Sequence, residues 1–215
     1  LNITCDGGAA TGKSTGAKLI AKKFNLSFLS SGLLYRYAGY LILKHKPKNS
    51  NNFLKKKFKN LSYKRLNKIN LHTPKISYQS AIIAKKLAVR NILKRYQKNF
   101  IRIHKGCVLE GRDASTKILP NSDVKFFFKC SLDIASKRRF IELKKKLKNI
   151  SLKEVKKALK QRNILDKNRK HSPLKKHKNA VVVDTGKLNK QAMVSIMSKH
   201  VEKVIKEKYG NRTRD

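Results

Sequence analysis

Residues Gly7 to Ser14 read GGAATGKS, and they stand between the apolar run LNITC at residues 1–5 and a helix-periodic stretch that opens at Lys13. The eight residues satisfy G-x-x-x-x-G-K-[ST] in the strand–loop–helix setting that the pattern requires. Glycines in such a turn let backbone N–H groups point inward around a β-phosphate, and the following helix adds its positive end. The lysine then bridges β- and γ-phosphates, and the hydroxyl reaches Mg²⁺. Gly7, Gly8, Ala9, Ala10, Thr11, Gly12, Lys13, Ser14 and Thr15 are therefore the expected triphosphate loop, with Lys13 catalytic and Ser14 a metal ligand.

Outward from that loop the chain alternates. After the first helix, Lys13 to about Phe24, Leu26–Leu29 reads as a second strand and the stretch through Tyr35 to Leu43 as a helix. A long helix is expected over Ser77–Tyr96, then strands at Cys107–Leu109 and Val124–Phe128. Two charged helices follow at about Leu132–Leu147 and Leu152–Leu165. A last strand, AVVVDT, precedes a helix from about Asn189 to Lys206. Strands alternating with helices imply a parallel sheet covered on both faces. The Lys/Asn-rich segment KHKPKNSNNFLKKKFKN, Lys44 to Asn60, reads as a solvated insert.

Composition bounds the rest. The 215 residues carry 54 Lys and Arg against 12 Asp and Glu, a formal net charge of +42. That is about 0.2 per residue, a value that leans toward disorder. The apolar residues nevertheless gather in runs such as VKFFF and AVVV, so one packed domain is expected, with disorder confined to tails and loops. Cys5, Cys107 and Cys130 form no C-x-x-C pair, which argues against a disulfide framework or a zinc site. The longest apolar runs fall short of a membrane span, and no secretory signal pattern is visible, so a cytoplasmic location is expected. The chain opens on Leu1 rather than Met. No zinc finger, recognition helix or aromatic RNA-binding pattern accompanies the charge, so no dedicated nucleic-acid partner is expected. Lysine in company with abundant Asn and Ile is also what an A/T-rich coding bias produces.

Four further segments carry chemistry. CVLEGRD places Glu110, Arg112 and Asp113 at the end of a strand, the edge where α/β sheets bind ligands, and makes Glu110 a candidate Mg²⁺ group acting through water or behind the direct ligands. LSSGLLYR sets Ser31, Tyr35 and Arg36 around a helix start, where a hydroxyl caps the helix and Arg36 is placed to clamp a phosphate. RNILDKNR aligns Arg162, Asp166 and Arg169 on one helix face, and KRR at Lys137–Arg139 offers a basic helix able to close over a transferring phosphoryl group. Each has a plain alternative: surface ion pairing, capping or a solvated face.

Taken in order, these segments resemble the bacterial cytidylate kinases among the nucleoside monophosphate kinases. DGGAATGKST is similar to that family's DGPSGAGKGT, with Gly8 and Ala10 in place of Pro and Gly. SSGLLYR is similar to DSGAxYR, with Ser30 in place of Asp. VLEGRD, LPNSDVKFFFKCS, SKRR, QRNILDKNR and VVVDTG follow in register. The resemblance implies a three-layer α/β phosphate-loop kinase with a central parallel five-stranded sheet, an acceptor-binding insert and a lid, phosphorylating CMP and dCMP with Mg·ATP; a monomer is the default expectation. Its core would be residues 1–36, 76–131 and 179–215, its insert 37–75 and its lid 132–178. It also implies that Arg36 and Arg112 hold the acceptor phosphate, and that Ser31, Arg90, Asp113 and Arg169 surround the cytosine. Arg162 and Asp166 would contact the ribose, and Arg138 and Arg139 would be catalytic lid arginines. Ala135 stands where the family's first lid arginine is expected. The contact the family makes through a serine falls between Ser80 and Ala81. The family's strand-rich hairpin gives way to FLKKKFKNLSYKRLNKI, helical or irregular, on which selection between ribose and deoxyribose turns. The alternatives are another small kinase of this fold, acting on adenylate, thymidylate, shikimate or dephospho-coenzyme A, or a basic nucleotide-dependent RNA- or ribosome-binding protein.

Overall fold

The computed structural model describes residues 1–145 and 149–210. Among them five strands form one sheet in the order β2-β3-β1-β4-β5: β1 Asn2–Gly7, β2 Ser27–Ser30, β3 Cys107–Gly111, β4 Val124–Lys129 and β5 Val181–Asp184. All neighbours are parallel, with Cys5 opposite Glu110 on one side of β1 and Phe126 on the other.

Successive residues of a strand face opposite sides, and here both sides are apolar. On β3, Val108 packs with Ile3, Ile20, Phe126 and Met197 under α1 (Lys13–Lys23) and α8 (Lys190–Tyr209). Its neighbour Leu109 packs on the other face with Leu29, Leu34 and Leu93, under α2 (Ser31–His45) and the helices that follow it. Three layers result, as expected from the alternating pattern.

The segment after α2 departs from its solvated reading. It forms α3 (Ser50–Lys59) and a 3₁₀ turn at Tyr63–Lys68. Leu54 and Phe58, one helical turn apart, are buried together with Leu66 and Leu71, while the lysines of α3 point outward. Four apolar side chains at the right spacing suffice to fold a lysine-rich stretch onto the core.

The single helix expected over Ser77–Tyr96 is two, α4 (Pro74–Ile83) and α5 (Leu87–Ile103). The break at residues 84–86 leaves the Ala84 carbonyl without a helical donor, and the Arg90 guanidinium supplies one at 3.0 Å. α6 (Leu132–Lys144) and α7 (Leu152–Asn168) pair through Ala135, Leu143, Val155 and Leu159. The predicted end of the first of these, Leu147, lies outside the described residues.

Candidate active site

The phosphate loop is a consequence of where β1 ends. Gly7 has φ 154°, and a Cβ there would come within 2.5 Å of the Phe128 carbonyl, so only glycine passes β4 at that point. Gly12 caps α1 at φ 79°. Ala10, where the resembled pattern has glycine, takes φ 58°, the left-handed region that costs an L-residue energy. Lys13, in the first turn of α1, is buried and turns back over the loop: its Nζ is 3.2 Å from Gly8 O and 3.1 Å from Glu110 Oε1. Burial, with the Arg112 charge nearby, lowers its pKa to about 8. Burial by itself would raise the carboxyl of Glu110, at the end of β3, but Lys13 and the Ser30 hydroxyl hold it below the usual carboxylate range. That hydroxyl also caps α2, so the capping residue is Ser30; Ser31 instead donates to the buried Gln97 Oε1.

These groups open on one cavity of about 930 Å³. Arg36, Arg112, Arg138, Arg139 and Arg162 line it together with Ala9–Thr15 and Glu110. Arg36 donates to Leu71 O and Ser77 Oγ, and Arg139 pairs with Glu142 at 2.8 Å and donates to His72 O at 3.1 Å. Arg138 is turned toward the end of β5, donating to Thr185 Oγ1 and O, while Thr185 Oγ1 donates to Thr11 O at 2.9 Å. Its guanidinium is thereby fixed beside the phosphate loop. Arg162 has its pKa lowered to about 10 by burial and by Arg112, and Arg36 is lowered by burial and by Arg162, Arg139 and Arg112. The Arg162 Nε is buried with no hydrogen-bond partner among the described residues. Mutually repelling guanidinium groups around a lysine, one with an unbonded buried nitrogen, suit a polyanion.

Mg²⁺ usually binds through one or two protein oxygens plus substrate phosphates and water. Ser14 and Glu110, both on the cavity wall, offer that much, and the described residues contain no cluster of three His, Cys, Asp or Glu that would hold an ion alone.

The remaining expected residues form a layer behind the wall. Arg112 Nε is 2.8 Å from Asp166 Oδ2, Asp166 is 3.5 Å from Arg169, Arg169 is 3.9 Å from Asp113, and Asp113 pairs with Arg90. Asp113, Arg90, Asp166 and Arg169 are buried, and the Tyr35 ring lies against the Arg90 guanidinium. Ser31 joins this layer: a Cβ on Gly111 would come within 3.2 Å of its hydroxyl. Ala81 faces the cavity, whereas Ser80 is buried and donates to Ser77 O. Ala135 is packed among Leu143, Val155 and Leu159 and presents no polar group.

Four functional residues carry no signal of their role in the sequence. Tyr63 lines the cavity from the 3₁₀ turn and accepts the Ser30 N–H at 2.8 Å. Asn163 Oδ1 accepts the Ala9 N–H from α7 at 3.4 Å. Thr185 joins β5 to the loop, and the buried Asp6 joins β1 to the turn after β3. Asp6 lies in the quoted DGG and Thr185 in VVVDT, but nothing in either segment shows what each side chain reaches across the sheet.

A family model described as cytidylate kinase matches residues 3–203. The chain is 34% identical over 209 residues to a cytidylate kinase of Bartonella tribocorum, covering 95% of each chain. It is 35% identical over 217 residues to one of Fusobacterium nucleatum, covering 94% of this chain and 97% of the other. A shikimate kinase structure from Bacteroides thetaiotaomicron superposes with a TM-score of 0.51 at 10% identity, covering 94% of this chain and 98% of the other, a likeness of fold. With its phosphate loop, parallel five-stranded sheet and arginine-lined cavity, the chain belongs to the cytidylate kinase family.

Proposed function

We propose that the protein transfers the γ-phosphoryl group of ATP to CMP and dCMP. The observation that carries this reading is the convergence of Lys13, Arg36, Arg112, Arg139 and Arg162 on one cavity walled by the phosphate loop. Two nucleotides bring several negative charges to one place, and these cations, with Arg138 beside the loop, answer them. Phosphoryl transfer asks little covalent chemistry of a protein; positioning and charge stabilisation do most of the work. Lys13 and the loop hold the donor. Arg36 and Arg112 hold the acceptor phosphate in line, with Arg138 and Arg139 closing over the transferring group. Ser14 and Glu110 would hold Mg²⁺, whose contribution is to neutralise charge between β- and γ-phosphates. Ser31, Arg90, Asp113 and Arg169 read the cytosine, and Arg162 and Asp166 read the ribose.

Residues 37–75 act as the acceptor-side insert and residues 132–178 as the lid of a monomeric, cytoplasmic enzyme. The insert brings Tyr63, Leu66 and Ile69 to the cavity rather than a strand-rich hairpin, which supports only a slight preference between CMP and dCMP. An acceptor screen with ATP tests the assignment: turnover with CMP and dCMP is expected, and turnover confined to AMP, dTMP, shikimate or dephospho-coenzyme A overturns it. A ratio of kcat/KM between CMP and dCMP of about a hundredfold or more, roughly 2.7 kcal/mol, would show that the strand-rich insert is not needed for sugar selection.

A further inference from the structure

The turn that follows β3 is held by a residue from another strand. Ala114–Ile118 forms a single wide π-type turn with Asp113 in the position that precedes it. An aspartate there ordinarily folds its own carboxylate onto the free amides that open the turn. Asp113 makes no such bond. Those amides are taken instead by Asp6, at the end of β1: Ala114 N donates to its Oδ1 at 2.8 Å, and Ser115 N and Oγ donate to its Oδ2 at 2.7 and 2.6 Å. Asp6 is fully buried. Relieved of capping, the Asp113 carboxylate points the other way, to Arg90 and Arg169.

We propose that Asp6 is a positioning residue for acceptor selection: by capping the turn from β1 it keeps the Asp113 carboxylate turned toward the arginines that flank the acceptor base. Asp6 immediately precedes the phosphate loop, so the element that carries the donor loop also sets the orientation of the acceptor-reading group. With Asp6 removed, the Ala114 and Ser115 amides lose their acceptor in a buried place, and the nearest carboxylate able to satisfy them is that of Asp113. Its rotation would leave Arg90 and Arg169 without their partner and the base without its carboxylate. The inference rests on the reading of Asp113 as a group that distinguishes cytosine from uracil, whose N4 amino donor and O4 acceptor are opposites.

The test measures kcat/KM for CMP and UMP, and KM for ATP, in wild type, Asp6→Ala, Asp113→Ala and the double variant. Asp113→Ala is expected to lower the CMP-over-UMP ratio by about tenfold or more, the scale of one lost hydrogen bond to a charged group. Asp6→Ala is expected to lower the ratio comparably and raise the acceptor KM, with the ATP KM within about twofold of wild type. The double variant is expected to discriminate no worse than Asp113→Ala alone, because both changes remove one function. Asp6→Asn, whose single carbonyl oxygen can keep the Ser115 bonds while giving up that to Ala114, should fall between, and it carries the test if Asp6→Ala does not fold. A ratio lowered in Asp113→Ala but unchanged in the Asp6 variants overturns the proposal and leaves the base reading standing. A ratio unchanged in Asp113→Ala overturns that reading and the proposal with it. An Asp6→Ala loss that adds in full to that of Asp113→Ala in the double variant, or that falls equally on ATP and acceptor, assigns Asp6 a general structural role instead.

Discussion

The Lys13 ammonium and the Glu110 carboxylate face each other at 3.1 Å with both side chains buried. Each is the other's principal compensation for leaving water, so their roles in folding and in turnover can be separated. Lys13→Ala should lower kcat by about a thousandfold or more, because its charge acts as the phosphoryl group transfers. It should also cost about 3–5 kcal/mol of stability, because Glu110 is left buried and unpaired. Adding Glu110→Gln should restore much of the stability and none of the turnover. Chemical denaturation and steady-state kinetics on the single and double variants check both; near-normal turnover in either would remove Lys13 from the reaction.

The helical segment after α2 is expected to depend on its small core. Leu54 is wholly buried among Phe58, Leu66 and Leu71. Leu54→Ala should destabilise the protein by about 2–5 kcal/mol, the usual range for a core leucine. A urea midpoint indistinguishable from wild type would mean that the segment is loosely attached despite its burial.

Asp6 should also leave a mark on the pH dependence of stability. Burial raises its pKa from 3.8 to about 6, outweighing the bonds from Ser115 and Ala114 that lower it. As pH falls, the native state therefore takes up this proton before the unfolded chain does, and stability from this group increases between about 6 and 3.8. It is fully present below the lower value and lost as pH rises through the upper. Measured as wild type minus Asp6→Asn, the unfolding free energy should grow by about 2.4 kcal/mol from pH 7 to pH 4. A flat difference would mean that the three donors hold the carboxyl at its ordinary value.

Ala10 sits at φ 58° where a side chain is strained. Replacing it with glycine relieves about 1–2 kcal/mol in the native state and returns part of that as unfolded-chain entropy. Ala10→Gly should therefore be neutral to stabilising by about 1 kcal/mol, read from thermal or urea unfolding. A clear destabilisation would show that the Ala10 methyl, which packs against the α6–α7 cluster, outweighs the strain.

Local signals make the phosphate loop and the sheet legible in the amino-acid order alone. G-x-x-x-x-G-K-S is contiguous, and Phe126, Phe128 and Val183 lie in short aromatic or β-branched apolar runs whose length and composition read as buried strands. The cavity arginines are legible because each sits in a short ordered segment. What stays hidden depends on partners far along the chain. The break before Leu87 is stabilised by Arg90 reaching back to Ala84, and helical periodicity runs through it unmarked. Lysine content masks the Leu54 and Phe58 spacing in α3. Asp6 and Ser115 are 109 residues apart, and only the pairing of β1 with β3 brings them together.

The ion pairs Arg112–Asp166, Arg169–Asp166 and Arg169–Asp113 lie at one end of α7. They make that end a fulcrum. From Asp166 to the start of the helix at Leu152 is about 21 Å, so a swing of about 10° would move the far end by about 4 Å while Arg112 and Arg169 hardly shift. Arg162 and Asn163, one turn from the fulcrum, would lift from the phosphate loop by only a fraction of that distance. On the proposed reading, leverage of this kind would let the cavity widen at its mouth for exchange of nucleotides while the Arg112–Asp166–Arg169–Asp113 chain of ion pairs stays assembled.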